Sequence, residues 1–228
     1  MALIRLTERI WYFPYEEERD RPNLGYIRGD RWSLAVDAGH SDAHVADFCR
    51  ALREAGLPLP KLTVLTHWHW DHTFGAHAVS GLCLSNTRTD KHLREQREKL
   101  LREGPEAFLN IHPSVRREYA GGRPFTIVPA DITFADEVGL DAGGCPVRVF
   151  RAEAPHTDDS TLVYVPDEKV LFVGDAGGDV FGTGEWDPAA REALARAVNE
   201  TGADTVLEGH WIPTPRQEYT DYLIRGEN

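Results

Sequence analysis

Apolar residues come in short bursts along the first forty positions. "LIRL", "IWYF", "LGYIRG" and "WSLAVDAG" are rich in β-branched and aromatic residues and are split by turn signals such as Gly29-Asp30, which predicts strands. The period then changes. In "SDAHVADFCRALREAGL", Val45, Phe48 and Leu52 form an apolar stripe, Ser41 or Asp42 can cap the start, and Gly56 sits at the stop. A helix is expected there. "LTVLTH" follows as a nearly continuous apolar run, the pattern of a strand buried on both faces.

Residues 87–122 differ in character. "TRTDKHLREQREKLLREG" is highly charged, with Leu93, Leu100 and Leu101 on one side, and "PEAFLNIHPSVRREYAGG" follows with Phe108, Leu109, Val115 and Tyr119. Two inserted helices are expected, with the alternating charges on a solvated face. Strand signals resume with "FTIVP", "DITFAD", "EVGL" and "PVRVFRAEA". "STLVYVPDEKVLFVGDA" predicts a hairpin turning at Pro166-Asp167-Glu168-Lys169. A helix starts at Asp187-Pro188, a cap followed by a first-turn proline, and stops near Gly202; "DTVLEGH" is a final strand. The order implies a layered α/β or α+β fold. No repeat or low-complexity linker interrupts it, so residues 1–228 are expected to form one domain with a helical insertion at about 87–122.

Composition narrows the function classes. A 41% hydrophobic and 27% charged chain can bury a core. The net charge of −12 repels polyanions and argues against a general nucleic-acid binder. There is no apolar run of membrane-spanning length and no signal-peptide pattern in "MALIRLTERIWYFP", so a cytoplasmic, non-membrane protein is expected. Cys49, Cys83 and Cys145 have no close pairing and read as buried thiols.

The chemistry concentrates in "VLTHWHWDHTFG". His67 and His69 are expected to end the apolar strand, two apart and so on one face. Asp71 and His72 fall where the chain must turn. Four metal-binding groups in six residues are too many for one small ion, which suggests two.

The motif H67-W-H69-W-D71-H72 resembles the H-x-H-x-D-H signature of the metallo-β-lactamase superfamily. Further elements match in order: Asp37 in "LAVDAG", His156 in "APHTDDS", Asp175 in "LFVGDA" and His210 in "LEGH". The resemblance covers roughly residues 25–211. It implies an αβ/βα four-layer sandwich of two mixed sheets with the site at one edge. It further implies one metal held by His67, His69 and His156 and a second held by Asp71, His72 and His210. Asp175 and a hydroxide would bridge them, Asp71 would help orient the nucleophile, and Asp37 would steady an imidazole from behind. Imidazole and carboxylate ligands suit two divalent ions, zinc first, with iron or manganese as alternatives.

The remaining histidines, His40, His44, His77, His92 and His112, match no motif position and read as surface or helix residues. His112 and Tyr119 in the insertion, with Trp68 and Trp70, are candidates for substrate contact. A dimer partner is the rival cover for the insertion's apolar residues. The activity implied is hydrolysis of a small-molecule ester, lactone, thioester or related substrate. Asp175 stands where the best-known β-lactamases of the family carry cysteine, so β-lactam hydrolysis is a weaker reading. The 18 residues after His210 are too few for the helical substrate domain of glyoxalase II-like thioesterases. An iron-dependent oxidoreductase, of the persulfide-dioxygenase or di-iron type, is the alternative class.

Overall fold

The computed structural model describes residues 1–226. The first sheet has seven strands in chain order: β1 (Ile4–Arg5), β2 (Ile10–Phe13), β3 (Leu24–Arg28), β4 (Ser33–Val36), β5 (Leu62–Val64), β6 (Leu82–Asn86) and β7 (Ile132–Phe134). It is antiparallel up to β4 and parallel from β4 to β7. The second sheet holds β8 (Glu137–Asp141), β9 (Pro146–Arg151), β10 (Thr161–Val165), β11 (Val170–Gly174), β12 (Thr205–Glu208) and β13 (Thr214–Pro215), in the order 13-12-11-10-9-8.

The inner core lies between the sheets, where Ile27, Val36, Val64 and Leu84 meet Val149, Val163, Phe172 and Leu207. Helix α1 (Asp42–Glu54) covers the outer face of the first sheet through Phe48, Ala51 and Leu52. It begins as the sequence predicts, with the Ser41 hydroxyl accepting from His44 N, and Gly56 adopts φ +69 just past its end. The hairpin β10–β11 is buried on both faces because the second sheet is covered in turn by α6 (Pro188–Thr201) and α7 (Arg216–Arg225). These are the expected helix–sheet–sheet–helix layers. Among the described residues no helix is long and apolar enough to cross a membrane.

Three expectations are corrected, and one helix is added. Strand β5 ends at Val64, so His67 and His69 lie in the loop beyond it. The reason is local: Thr66 N donates to the Asp37 carboxylate instead of to a neighbouring strand. "FTIVP" forms no strand; prolines 124 and 129 remove two backbone donors, and Phe125 stacks on Tyr119 at 3.9 Å between ring centroids. The insertion forms three helices, α3 (Thr87–Glu103), α4 (Glu106–Leu109) and α5 (Pro113–Glu118), because Gly104-Pro105 and Pro113 interrupt it. Helix α7 was not anticipated, although Tyr219 and Leu223 stand at helical spacing.

The insertion packs on its own chain. Leu93, Phe108, Val115 and Tyr119 join Ala38, Leu65 and Phe74 in one cluster, where truncating a buried leucine or phenylalanine to alanine costs about 2–5 kcal/mol. A buried pair secures it: Arg21 grips Glu118 with Nε at 3.0 Å and Nη2 at 2.7 Å. Leu101, 77% exposed, is left outside.

Candidate metal centre

Segments from both sheets meet at one edge. The β5 loop supplies His67 and His69, and helix α2 (Trp70–Thr73) supplies Asp71 and His72. The second sheet contributes His156 before β10, Asp175 after β11 and His210 after β12. The chain's turn into α2 is fixed by Thr73, whose hydroxyl donates to His69 O at 2.8 Å.

The side chains fall into two groups, each with ligand atoms within 4.8 Å of one another: His67, His69 and His156, and Asp71, His72, Asp175 and His210. In the first, His69 Nδ1 faces His156 Nε2 at 3.1 Å, and His67 Nε2 is buried without a hydrogen-bond partner. In the second, Asp71 Oδ2 lies 2.9 Å from His210 Nε2 and 3.2 Å from His72 Nε2. Asp175 Oδ2 lies 3.3 Å from His72 Nε2 and 3.6 Å from that of His210. The rings of His67 and His72 are 4.3 Å apart, so the groups adjoin. Converging N and O ligand atoms, with orphaned imidazole nitrogens, mean that each group could hold a metal ion.

The profile of the family described as "Metallo-beta-lactamase superfamily" matches residues 20–215. The chain belongs to this superfamily. Membership places it among metal-dependent hydrolases. Curated relatives include the acyl-coenzyme A thioesterase MBLAC2 of Bos taurus, 22% identical, and that of Gallus gallus, 24% identical; each alignment covers 86% of this chain and 75% of the relative. A metallo-β-lactamase from Pontibacter korlensis superposes with a TM-score of 0.69 at 17% identity, over 99% of both chains. The DIM-1 metallo-β-lactamase gives 0.71 at 18% identity, over 99% of this chain and 98% of that one. At these identities the structural likenesses show the fold.

In this superfamily member the two groups differ electrostatically. Burial, with neighbouring His72 and His69, holds His67 well below the ordinary imidazole range. Burial and then His156 depress His69 to about 3. Both are therefore neutral. In the second group burial opposes charge, yet Asp175, Asp71 and Asp37 hold His72 well above its ordinary value. His210 is likewise raised, to about 9, against burial and by Asp175 and Asp71. The carboxyls of Asp71 and Asp175 resist burial and stay far below the usual range beside His72 and His210.

Three histidines have a partner on their outer nitrogen. His72 Nδ1 donates to Asp37 Oδ2 at 2.8 Å, since an ionised carboxylate only accepts. His156 Nδ1 meets Asp179 O at 2.9 Å, and His67 Nδ1 meets the Thr66 hydroxyl at 3.2 Å.

A cavity of about 270 Å³ opens beside His156, Asp175 and His210 and is walled by Glu208, Trp211 and Tyr222. Burial, then the Asp175 carboxylate, pushes Glu208 up to about 7. On the other side Phe181 lies over His69 at 4.0 Å between centroids and touches Trp68 and Trp70 at 5.6 and 6.0 Å.

His112 stacks on Trp70 at 6.3 Å, at the rim of this aromatic wall. Tyr119 does not reach it: 5% exposed, it donates its hydroxyl to His40 O and stacks in the core. His44 lies in a helix, as expected, though fully buried; His40 is fully buried outside any helix; His77 and His112 are exposed and His92 is half-buried. Cys83 and Cys145 are buried as expected; Cys49 is only half-buried. Sequence reasoning missed Phe181, Thr66, Asp179, Glu208 and Trp211. Phe181 sits alone in a glycine-rich loop with no periodic signal. Glu208 and Trp211 flank His210 and were within reach of the motif itself.

Proposed function

We propose that the chain hydrolyses a small thioester, with His67, His69 and His156 holding one divalent cation and Asp71, His72 and His210 a second, Asp175 lying between them. The observation that carries this reading is the convergence of two ligand groups that share one edge, with Asp175 within 3.6 Å of two histidines of the second. Two bound cations supply an attacking water activated near neutral pH and an electrophile for a carbonyl oxygen. Zinc suits the donor set, and iron or manganese are the rivals.

The residues of this chain do the rest. Asp37 fixes the ring of His72, and Asp179 O and Thr66 fix those of His156 and His67. Asp71, held ionised beside His72 and His210, would orient the nucleophile. Phe181, Trp68 and Trp70 offer an apolar wall for an acyl group, and His112 stands at its rim. Thioester is preferred over lactone, ester or β-lactam because the curated relatives bear a thioesterase name and because Asp175 occupies the position where cysteine serves in well-known β-lactamases.

The test is a metal-defined screen. Protein loaded with zinc, iron or manganese is assayed on acyl-coenzyme A thioesters, lactones, aryl esters, phosphodiesters and β-lactams. Thioester hydrolysis is expected to lead by at least tenfold in kcat/KM. A β-lactam in first place would replace the substrate reading, and dioxygen uptake by the iron form without hydrolysis would replace the reaction class.

A further inference from the structure

The segment Glu208–Trp211 carries His210 and the cavity residue Trp211, and it is held from two sides. In front, Gly209 N donates to Gly174 O at 2.9 Å. A Cβ at position 209 would stand 2.2 Å from Asp175 Oδ1 and 2.8 Å from His72 Cε1, so only glycine lets the strand end approach this closely. Behind, one residue takes three of the segment's carbonyls. Asn23 Nδ2 donates to Glu208 O at 2.8 Å and to Trp211 O at 2.7 Å. Asn23 N donates to Gly209 O at 2.6 Å. The amide oxygen is used as well, accepting from Tyr15 N at 2.9 Å.

Asn23 is 4% exposed and every polar atom of its side chain is satisfied. A rotated amide would set its oxygen against two carbonyls, so the orientation is unique. Asn23 thus ties the start of β3, in the first sheet, to a loop of the second sheet. Its hydrogen bonds go to the His210 segment and to Tyr15, and none goes to His67, His69 or His156.

We propose that Asn23 is a positioning residue for His210, fixing the geometry of the Asp71–His72–His210 group while leaving the other group untouched. This rests on the two-cation reading above. Partners one layer behind a metal ligand are worth about 10–100-fold in metal affinity, and the effect here is confined to one of two sites.

The experiment uses the full chain, stripped with a chelator and titrated with Zn²⁺ against a chromophoric competitor. Asn23→Asp keeps the backbone donor and the acceptor for Tyr15 N but turns a carboxylate oxygen toward two carbonyls; Asn23→Ala removes the amide without adding charge. Wild type is expected to take two equivalents. Both variants should bind the first within about twofold of wild type and the second about 10–100-fold more weakly. His210→Ala should show the same pattern, and the double variant Asn23→Ala/His210→Ala should lose nothing further. Equal weakening of both equivalents, or wild-type affinity for both, would overturn the assignment. So would failure of both variants to fold, which would make Asn23 a requirement of the sandwich rather than of one site. A wild-type chain that saturates at one equivalent would instead defeat the two-cation reading, a separate result.

Discussion

The Asp37 carboxylate sits 2.8 Å from Nδ1 of His72, and both side chains are almost completely buried. Asp37 also accepts from Thr66 N at 2.8 Å and from the Thr66 hydroxyl at 2.9 Å. It does so from a left-handed backbone, φ 66, which aspartate and asparagine tolerate better than most residues. Asp37→Ala should therefore fail twice. It strands a buried backbone N–H, costing about 1–3 kcal/mol, and frees the His72 ring, costing about 10–100-fold in metal affinity. Asp37→Asn should keep more of the fold than alanine but still loosen the metal. Denaturant unfolding and a metal titration, run side by side, check both halves; equal stability for the two variants would refute the backbone part.

Asp175 touches two histidines of the second group and lines the cavity. Asp175→Ala should lower metal affinity by more than the roughly 100-fold expected of an outer partner, and cut turnover by orders of magnitude. The fold should survive, since the inner core lies between the sheets. Near wild-type turnover with two metals still bound would exclude a role between the cations.

His112 and Tyr119 should separate cleanly. Tyr119→Phe loses one buried hydrogen bond, to His40 O, and should cost about 1 kcal/mol of stability with KM unchanged. His112→Ala, at the rim beside Trp70, should raise KM at constant metal content. Steady-state kinetics with metal analysis decide it; a KM change in the tyrosine variant alone would reverse the assignment.

Asp159, three residues beyond His156, supplies a pH-dependent test. It is wholly buried, neither carboxyl oxygen has a hydrogen-bond partner, and burial raises its pKa. In the unfolded chain the group ionises in the ordinary carboxylate range, before it does so in the fold. Its favourable contribution is thus complete at low pH and is lost as pH rises through the raised folded value. Asp159→Asn should gain more stability relative to wild type at pH 7.5 than at pH 4. Thermal unfolding at the two pH values measures it, and a pH-independent difference would show that the carboxyl carries no such penalty.

The two side-chain groups of the candidate site were legible because much of them is local. His67, His69, Asp71 and His72 announce themselves within six residues, and the order of Asp37, His156, Asp175 and His210 along the chain supplied the rest through family resemblance. Strong periodicity gave α1, the β10–β11 hairpin and α6 nearly to their ends. What stayed hidden depends on partners distant in sequence. Nothing near His40 or Tyr119 announces that they meet across 79 positions, and Asn23 finds its carbonyls 185 and 188 residues away. Phe125–Pro129 shows the opposite failure: a strand-like composition overruled by two prolines and by an aromatic stack.

The site draws on both sheets, with residues 67–72 from one and His156, Asp175 and His210 from the other. Neither half can hold a cation in this arrangement until the halves have docked. On the two-cation reading, metal capture would therefore be a late event in folding, and a check that the sandwich has closed in register. The reverse also holds. On the same reading, pulling the sheets apart would break several metal–ligand bonds at once, so the loaded protein should open more slowly than the stripped one. Cellular metal supply would then set how long each molecule survives proteases, as well as how fast it turns over substrate.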